Sequence, residues 1–186
     1  MWNEVLKRIN SAETPKNAVK QWGGAADLIH LVNEGINLIY RFEQNGQGDY
    51  LRLTHATLRS EDELQAAIAY QRHLFEHDVP ICEPILSLNG LWVEHIQPGS
   101  ELFLAHVCRE VPGKPIHFDH TDLALYKRWG MILGKLHYAA LSYNPGKHTY
   151  TNWESSLEEL HGYAQHESIA LQDTSITAAP TVWGRY

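Results

Sequence analysis

The stretches EGINLIYRF (residues 34–42) and DYLRLT (residues 49–54) decide the fold. Both are rich in the branched and aromatic side chains that favour β-strands. Between them lies NGQG (residues 45–48), and we expect Asn45, Gly46 and Gly48 to supply the positive φ angles of a hairpin turn. The second strand has one cation, Arg52, at its centre. The sequence therefore predicts an antiparallel hairpin with a charged side chain in the middle of its second strand.

A helix is predicted over residues 60–77, directly after this hairpin. Ser60 is a favourable N-cap and fits a capping box with Glu63, while Val79-Pro80 ends the helix. Apolar residues recur on one face of this helix, as expected of a helix that packs against a sheet.

The remaining elements are predicted outward from this centre. They are a short helix over residues 2–10, a connection over 11–20, a first strand over 27–32, short strands over 84–88 and 91–95 joined by Asn89-Gly90, a last strand over 102–108, and helices over 119–143 and 153–166. The stiff turn Val111-Pro112-Gly113 changes the character of the chain from strands to helices. We therefore expect four parts: residues 1–108, a linker over 109–115, helices over 116–167 and an irregular tail over 168–186.

Composition excludes several classes of partner. The formal net charge of −7 over 186 residues argues against nucleic acid and anionic membranes as partners, because both require an excess of Lys and Arg. The sequence has no apolar run near the roughly 18 residues that span a bilayer, so a cytoplasmic location is expected. Cys82 and Cys108 form no close-spaced pair and are predicted to be reduced thiols.

Twelve histidines raise the question of a metal site. His73 and His77 are spaced i, i+4 on the predicted helix, but spacing fixes no third ligand for them. We therefore predict no metal-binding residues.

The motifs together resemble the aminoglycoside phosphotransferase-like family, whose members are small-molecule kinases with a protein-kinase-like fold. The resemblance is carried by EGINLIY (34–40), YLRLTH (50–55), HDVPI (77–81), residues 84–91, EVPG (110–113), and the pairs Trp129-Gly130, Leu133-Gly134 and Leu136-His137. It implies an α+β fold: a kinase-like small lobe with an antiparallel sheet of about five strands and one packed helix, followed by a truncated helical large lobe.

The resemblance also implies a nucleotide site in the small lobe. The turn of Glu34, Gly35, Ile36 and Asn37 would lie over the phosphates, with backbone amides as donors. Arg52 would take the place of the strand cation that holds the α- and β-phosphates. The alternatives remain an ordinary hairpin turn at Gly35 and an edge-strand arginine in water at residue 52.

The linker would offer backbone groups of Arg109 and Val111 to the adenine edge. The sequence departs from the family at the helix glutamate that pairs with the strand cation, because this position falls on Ala67. Glu63, one turn earlier, could substitute for it, and its alternative role is to cap the helix.

The family's catalytic loop, with its His-Gly-Asp, its Asn and a metal-binding Asp, is not found after residue 166, where Asp173 has no neighbouring His. We therefore assign no catalytic residue and expect weak ATP binding, with Mg²⁺ only alongside the absent lobe. The ancestral reaction would be phosphoryl transfer from ATP to a small-molecule hydroxyl, while this chain alone is expected to be inactive. The alternative is a pseudokinase-like binding or regulatory module that docks a protein partner, or a second copy of itself, through exposed large-lobe helices.

Overall fold

The computed structural model describes residues 13–113 and 122–147 of the chain. The elements in chain order are α1 (Thr14–Lys20), a 3-10 helix (Ala26–Leu28), β1 (His30–Glu34), β2 (Asn37–Gln44), β3 (Gln47–His55), α2 (Glu61–Glu76), β4 (Pro84–Ile85), β5 (Glu94–Ile96), β6 (Phe103–Arg109) and α3 (Leu123–Leu141). The helices predicted over residues 2–10 and 153–166 and the tail over 168–186 lie outside the described residues.

The described strands form one antiparallel sheet in the order β1-β2-β3-β6-β4, with β5 also paired to β6. The predicted α+β class is confirmed, although the sheet has six strands where about five were expected. β6 pairs with β3 along its whole length. Its other edge is shared by β4 and β5.

One face of the sheet, which we call the outer face, is covered by α1. Its core is formed by Leu38, Tyr40, Phe42, Leu51, Leu53, Phe103, Ala105 and Val107, together with Ala18, Val19 and Trp22. The indole of Trp22 is only 2% exposed, and its Nε1 donates a hydrogen bond to the carbonyl of Ile85 at 3.0 Å. Residues 11–20 were predicted as a connection, and this is wrong for the described part. Pro15 lies in the first turn of α1, where its missing N–H costs nothing.

The opposite face, which we call the inner face, is partly covered by α2. Leu64 and Ile68 of this helix pack with Leu104 of β6. Further along α2, Nε2 of Gln71 donates to the carbonyl of Cys82 at 2.7 Å and contacts Sγ of Cys108 at 3.4 Å. The predicted helix and its capping box are both confirmed, since α2 begins at Glu61 after the N-cap Ser60.

The short strands differ from the prediction in position and pairing. The first strand begins at residue 30 instead of 27, because residues 26–28 form a 3-10 helix. The strands predicted over 84–88 and 91–95 shorten to β4 and β5, which pair with β6 and not with each other. Oγ of Ser87 accepts hydrogen bonds from the amides of Asn89 and Leu91, each at 3.2 Å. Together with the backbone hydrogen bond from the Ser87 amide to the carbonyl of Leu91 at 2.8 Å, these side-chain bonds close the loop.

The start of the linker after β6 is fixed to the sheet by a cluster around Glu110. The Glu110 carboxylate accepts hydrogen bonds from Nε and Nη2 of Arg41 at 2.9 and 2.8 Å, and from the Tyr50 hydroxyl at 2.9 Å. The Glu110 amide donates to the carbonyl of Gly48 at 3.0 Å. We call Arg41, Tyr50 and Glu110 the linker anchor.

Gly48 has a different role from the one predicted. The positive φ angles of the hairpin turn belong to Asn45 (53°) and Gly46 (76°), and Gly48 is not among the residues with positive φ. A Cβ at residue 48 would overlap the Glu110 carboxylate and lie 2.7 Å from Nη2 of Arg41. Glycine is needed at residue 48 because the linker anchor approaches the backbone.

α3 confirms the helix predicted over residues 119–143, with Asp122 as its N-cap. Near its end it contacts α2, where Nε2 of His73 donates to the carbonyl of Ala139 at 2.9 Å. Much of its apolar surface is exposed, including Leu123 (78%) and Leu141 (84%). His137 of α3 is also exposed.

We predict that Trp22→Ala lowers the free energy of unfolding by about 3–5 kcal/mol, because it leaves a large cavity between α1 and the outer face. Urea denaturation followed by circular dichroism measures the change. Leu28→Ala is the control, since Leu28 is 54% exposed and its truncation should change stability by less than about 0.5 kcal/mol. Equal effects of the two substitutions would contradict the packing of α1 on the sheet.

A second prediction concerns pH. Hydrogen bonds from Arg41 hold the pKa of Glu110 below its ordinary value of 4.5. The carboxylate therefore stabilises the fold above pH 4.5, and this contribution is lost as the pH falls through the folded-state pKa. Glu110→Gln should reduce the free energy of unfolding by about 1 kcal/mol at neutral pH, a modest value because the pair is partly solvated.

The difference between wild type and Glu110→Gln should shrink as the pH is lowered below 4.5. Glu43→Gln is the matched control, because Glu43 binds the same arginine at 3.1 Å but is more exposed. A pH-independent difference, or a larger effect at Glu43, would show that the anchor does not depend on the Glu110 charge.

Candidate functional site

The inner face carries a row of polar side chains beside the linker. Strand register places Arg52 of β3 between Ile39 of β2 and His106 of β6, and Tyr50 between Arg41 and Cys108. Cross-strand partners share a face, so these side chains lie opposite the outer core. The linker anchor and Arg52 are therefore brought to one side of the sheet.

Arg52 is exposed on this face. The ion pairs formed within residues 13–113 and 122–147 do not include Arg52. The position predicted to lack the helix carboxylate, Ala67, is an exposed residue of α2. Residue 67 of α2 thus brings no carboxylate to the inner face that carries the Arg52 cation.

Glu63 caps α2. Its Oε2 accepts hydrogen bonds from the amide and the hydroxyl of Ser60 at 2.8 and 2.9 Å, and its amide donates to Oγ of Ser60 at 3.2 Å. These bonds match the capping role that the sequence left open. No ion pair between Glu63 and Arg52 is found among the described residues.

The turn of residues 34–37 joins β1 to β2 at the end of the hairpin. The Gly35 amide donates to the carbonyl of Asn37 at 3.3 Å, and Oδ1 of Asn37 accepts a hydrogen bond from Oγ1 of Thr54 at 2.7 Å. Ile36 is 72% exposed, and its amide has no acceptor in the described part of the chain. Glu34 is the last residue of β1. The turn is thus fixed at Asn37 and open at Ile36.

Gly35 has room around it. A Cβ at this residue would meet only Nδ2 of Asn33 at 3.6 Å, which is an ordinary contact. Neither its φ angle nor its described neighbours require glycine here. The turn therefore leaves space for another group to approach its backbone.

At Arg109, where the linker begins, the side chain lies on the outer face of the sheet. The Arg109 amide donates to the carbonyl of Glu83 at 2.8 Å. The Arg109 side chain lies 3.6 Å from Asp49 and 3.6 Å from Glu83, and its cross-strand partner Asp49 belongs to the outer face. The Val111 amide has no acceptor within the described residues. Arg109 can therefore contribute to an inner-face site only through its backbone.

Burial shifts the pKa values of Asp49 and Cys108, two ionisable residues close to the linker. Burial raises the pKa of Asp49, and Arg109 counteracts this. Burial also raises the pKa of the Cys108 thiol, so this group stays protonated at neutral pH. Cys108 therefore acts as a neutral side chain on the inner face.

His106 is a residue of this face that sequence reasoning did not identify. It lies in the centre of β6 and is 6% exposed. Burial, followed by the charges of Arg52 and Arg59, lowers its pKa to about 3. The sequence signal that could have identified it is the single polar residue in the otherwise apolar run FLAHV (103–107).

No group of three or more His, Cys, Asp or Glu residues that could bind a metal is found in the described ranges. In the same ranges, every helix is too short or too polar to cross a bilayer.

No protein-family model matches the chain. Amicoumacin kinase of Bacillus subtilis (strain 168) is 24% identical over 170 residues, which are 89% of this chain and 51% of the relative. The chain thus spans about half the length of the curated relative that it matches.

Solved structures show the same fold. Amicoumacin kinase hAmiN in complex with AMP-PNP, Ca²⁺ and Ami superposes with a TM-score of 0.73 at 23% identity, covering 83% of this chain and 47% of that one. A microcompartment-associated aminopropanol kinase superposes with a TM-score of 0.62 at 16% identity, covering 75% of this chain and 44% of that one. The chain is thus similar to proteins named as small-molecule kinases, and its fold is kinase-like, as the sequence motifs predicted.

Proposed function

We propose that this chain supplies the nucleotide-binding lobe of an ATP-dependent small-molecule kinase. In the proposed reaction the bond between the γ-phosphorus of ATP and its β,γ-bridging oxygen breaks, ADP leaves with that oxygen, and the γ-phosphorus bonds to a hydroxyl oxygen of the acceptor, whose proton is released. The observation that carries the proposal is Arg52, a strand cation exposed on the inner face without an ion-pair partner among the described residues.

An unpaired arginine next to a sheet is suited to bind phosphate. Its planar guanidinium donates two parallel hydrogen bonds to a phosphate group. In kinases a strand cation holds the α- and β-phosphates. Arg52 would take this role with a different reach, because protein kinases use lysine.

The turn of residues 34–37 would cover the same phosphates. The Ile36 amide, open in the described part of the chain, is a donor suited to an anionic oxygen. Gly35 leaves the backbone accessible, and the bond from Thr54 holds Asn37 in place. Glu34 would contribute the end of β1 from which the turn departs.

The linker would bind the base. The Val111 amide lacks an acceptor in the described ranges and is a donor available to a ring nitrogen. The Arg109 carbonyl would accept a hydrogen bond from the exocyclic amine of adenine. The linker anchor supports this arrangement, because it holds Glu110, the residue between them, against β2 and β3.

The relatives support the nucleotide but not a particular acceptor. The complex of amicoumacin kinase hAmiN contains AMP-PNP and Ca²⁺, so that kinase binds an ATP analogue with a divalent cation. For this chain we propose ATP, and we assign no Mg²⁺ ligand to the described residues. The acceptor is proposed only as a small hydroxylated molecule, since the kinases compared are named for different acceptors, amicoumacin and aminopropanol.

A second candidate function is docking of a protein partner on α3. The observation that favours it is the exposure of Leu123, Tyr138 and Leu141, at 78, 79 and 84%, since a large apolar patch commonly marks a contact surface. Sedimentation velocity distinguishes the two functions. Self-association lost in Leu141→Glu, together with no ATP binding, would favour docking.

We predict that Arg52→Ala weakens ATP binding by at least about tenfold, because it removes a charge-assisted, bidentate contact worth about 1.4 kcal/mol or more. Isothermal titration calorimetry measures the affinity. Arg72→Ala is the matched control, since Arg72 binds Glu76 at 3.3 Å on α2, and it should bind ATP like wild type. Equal affinities of wild type and Arg52→Ala would contradict the role of Arg52.

We also predict that ATP binds at least about tenfold more tightly than inosine triphosphate. The hypoxanthine base has an oxygen where adenine has its exocyclic amine, and a backbone carbonyl facing this edge would lose its donor. Competition calorimetry compares the two nucleotides. Equal affinities would show that the linker backbone does not bind the base.

A further inference from the structure

His106 and Arg52 are cross-strand partners on the inner face. His106 is 6% exposed, and its Nδ1 is buried without a hydrogen-bond partner among the described residues. Leaving a buried polar atom unpaired is costly, typically about 1–3 kcal/mol. Such a group in a folded protein requires an explanation, and binding of another molecule by the rest of the side chain is one.

The buried nitrogen decides which tautomer the ring adopts. A buried N–H without an acceptor is rarer than a buried acceptor without a donor, so the proton belongs on Nε2. Side chains stand roughly perpendicular to a sheet, and Nε2 is the ring nitrogen farther from the backbone. His106 therefore offers a neutral N–H donor on the cleft side of β6.

Two arginines share the surroundings of this ring. Arg52 faces it across the strands, and Arg59 comes from the short connection between β3 and α2. Both charges lower the pKa of His106, after the larger effect of burial. Neither guanidinium group has an ion pair or a side-chain hydrogen bond within residues 13–113 and 122–147.

The charge balance of this cluster is incomplete. The other ionisable residue next to it on β6 is Cys108, whose burial raises its pKa and keeps it neutral. Ala67 of α2 contributes no carboxylate. Arg52 and His106 are thus neighbours on the inner face, and Arg59 precedes the helix that packs on Leu104 of the same strand. An anionic ligand would supply the opposite charge.

We propose that Arg59 and His106 bind the polyphosphate of the nucleotide together with Arg52. This inference rests on the proposed function and adds two residues to it. The phosphates supply the negative charge that a helix carboxylate provides elsewhere. The Nε2–H of His106 donates to a phosphate oxygen between the two arginines.

The first test uses calorimetry with ATP and with inorganic pyrophosphate on the full chain. Arg59→Ala should weaken binding of both ligands by about tenfold, the loss of one charge-assisted contact. Arg72→Ala, of the same charge change, should leave both affinities at the wild-type value. Wild-type affinity of Arg59→Ala for both ligands would overturn the proposal.

The second test observes His106 in the unmodified protein. Addition of pyrophosphate should shift the imidazole NMR signals of His106, assigned with His106→Gln, and leave those of His95 in place. His95 is exposed and already bound to Glu61 at 2.8 Å. Unchanged His106 signals at saturating pyrophosphate would overturn the role of His106.

The two proposals fail in distinguishable ways. Pyrophosphate binding that depends on Arg59, with ATP no tighter than pyrophosphate, supports the polyphosphate site and removes the nucleotide function. ATP binding that depends on Arg52 but not on Arg59 or His106 supports the nucleotide function and overturns this inference. Binding of neither ligand to the wild type overturns both.

Discussion

The pairing of β3 with β6 is the constraint on which the rest of the structure depends. Its register sets Leu51 opposite Val107 in the outer core and Arg52 opposite His106 on the inner face. Because side chains alternate along a strand, a slip of one residue would exchange these two layers. Arg52 would then enter the outer core, where an unpaired guanidinium is very costly. The same register that buries the core therefore also exposes the cation.

The two faces of the sheet are stabilised by different means. The outer face is closed by α1 and by the indole of Trp22, whose hydrogen bond to Ile85 ties the helix segment to β4. Among the described residues, α2 covers the inner face over β6. The rest of this face is polar and is bordered by the linker anchor. The proposed nucleotide site thus uses the part of the sheet that the described helices leave open.

Features determined by neighbours in the chain could be predicted from the sequence. The capping box of Ser60 and Glu63, the central position of Arg52 and the turn at Asn45-Gly46 all depend on local residue chemistry, and the structure contains them. The α+β class follows from the same local signals.

Features determined by distant contacts could not be predicted in this way. The polar composition of residues 11–20 concealed α1, because its stability comes from burial of Ala18 and Val19 on the sheet. The first strand was misplaced because every residue of β1 is exposed, so no buried face marked its position. His106 was overlooked because an apolar run does not show which of its members faces a cleft. The reason for glycine at residue 48 lies at residue 110, and no local pattern reveals it.

Gly48 and Glu110 are consequently coupled positions, because a side chain at residue 48 would overlap the Glu110 carboxylate. The carboxylate occupies the volume that any side chain at residue 48 would need. A larger residue at position 48 would displace the Glu110 carboxylate, and this displacement would release Arg41 and Tyr50 from the linker. The effects of substitutions at the two positions on stability are therefore not additive, because either one disrupts the same contacts of Arg41 and Tyr50.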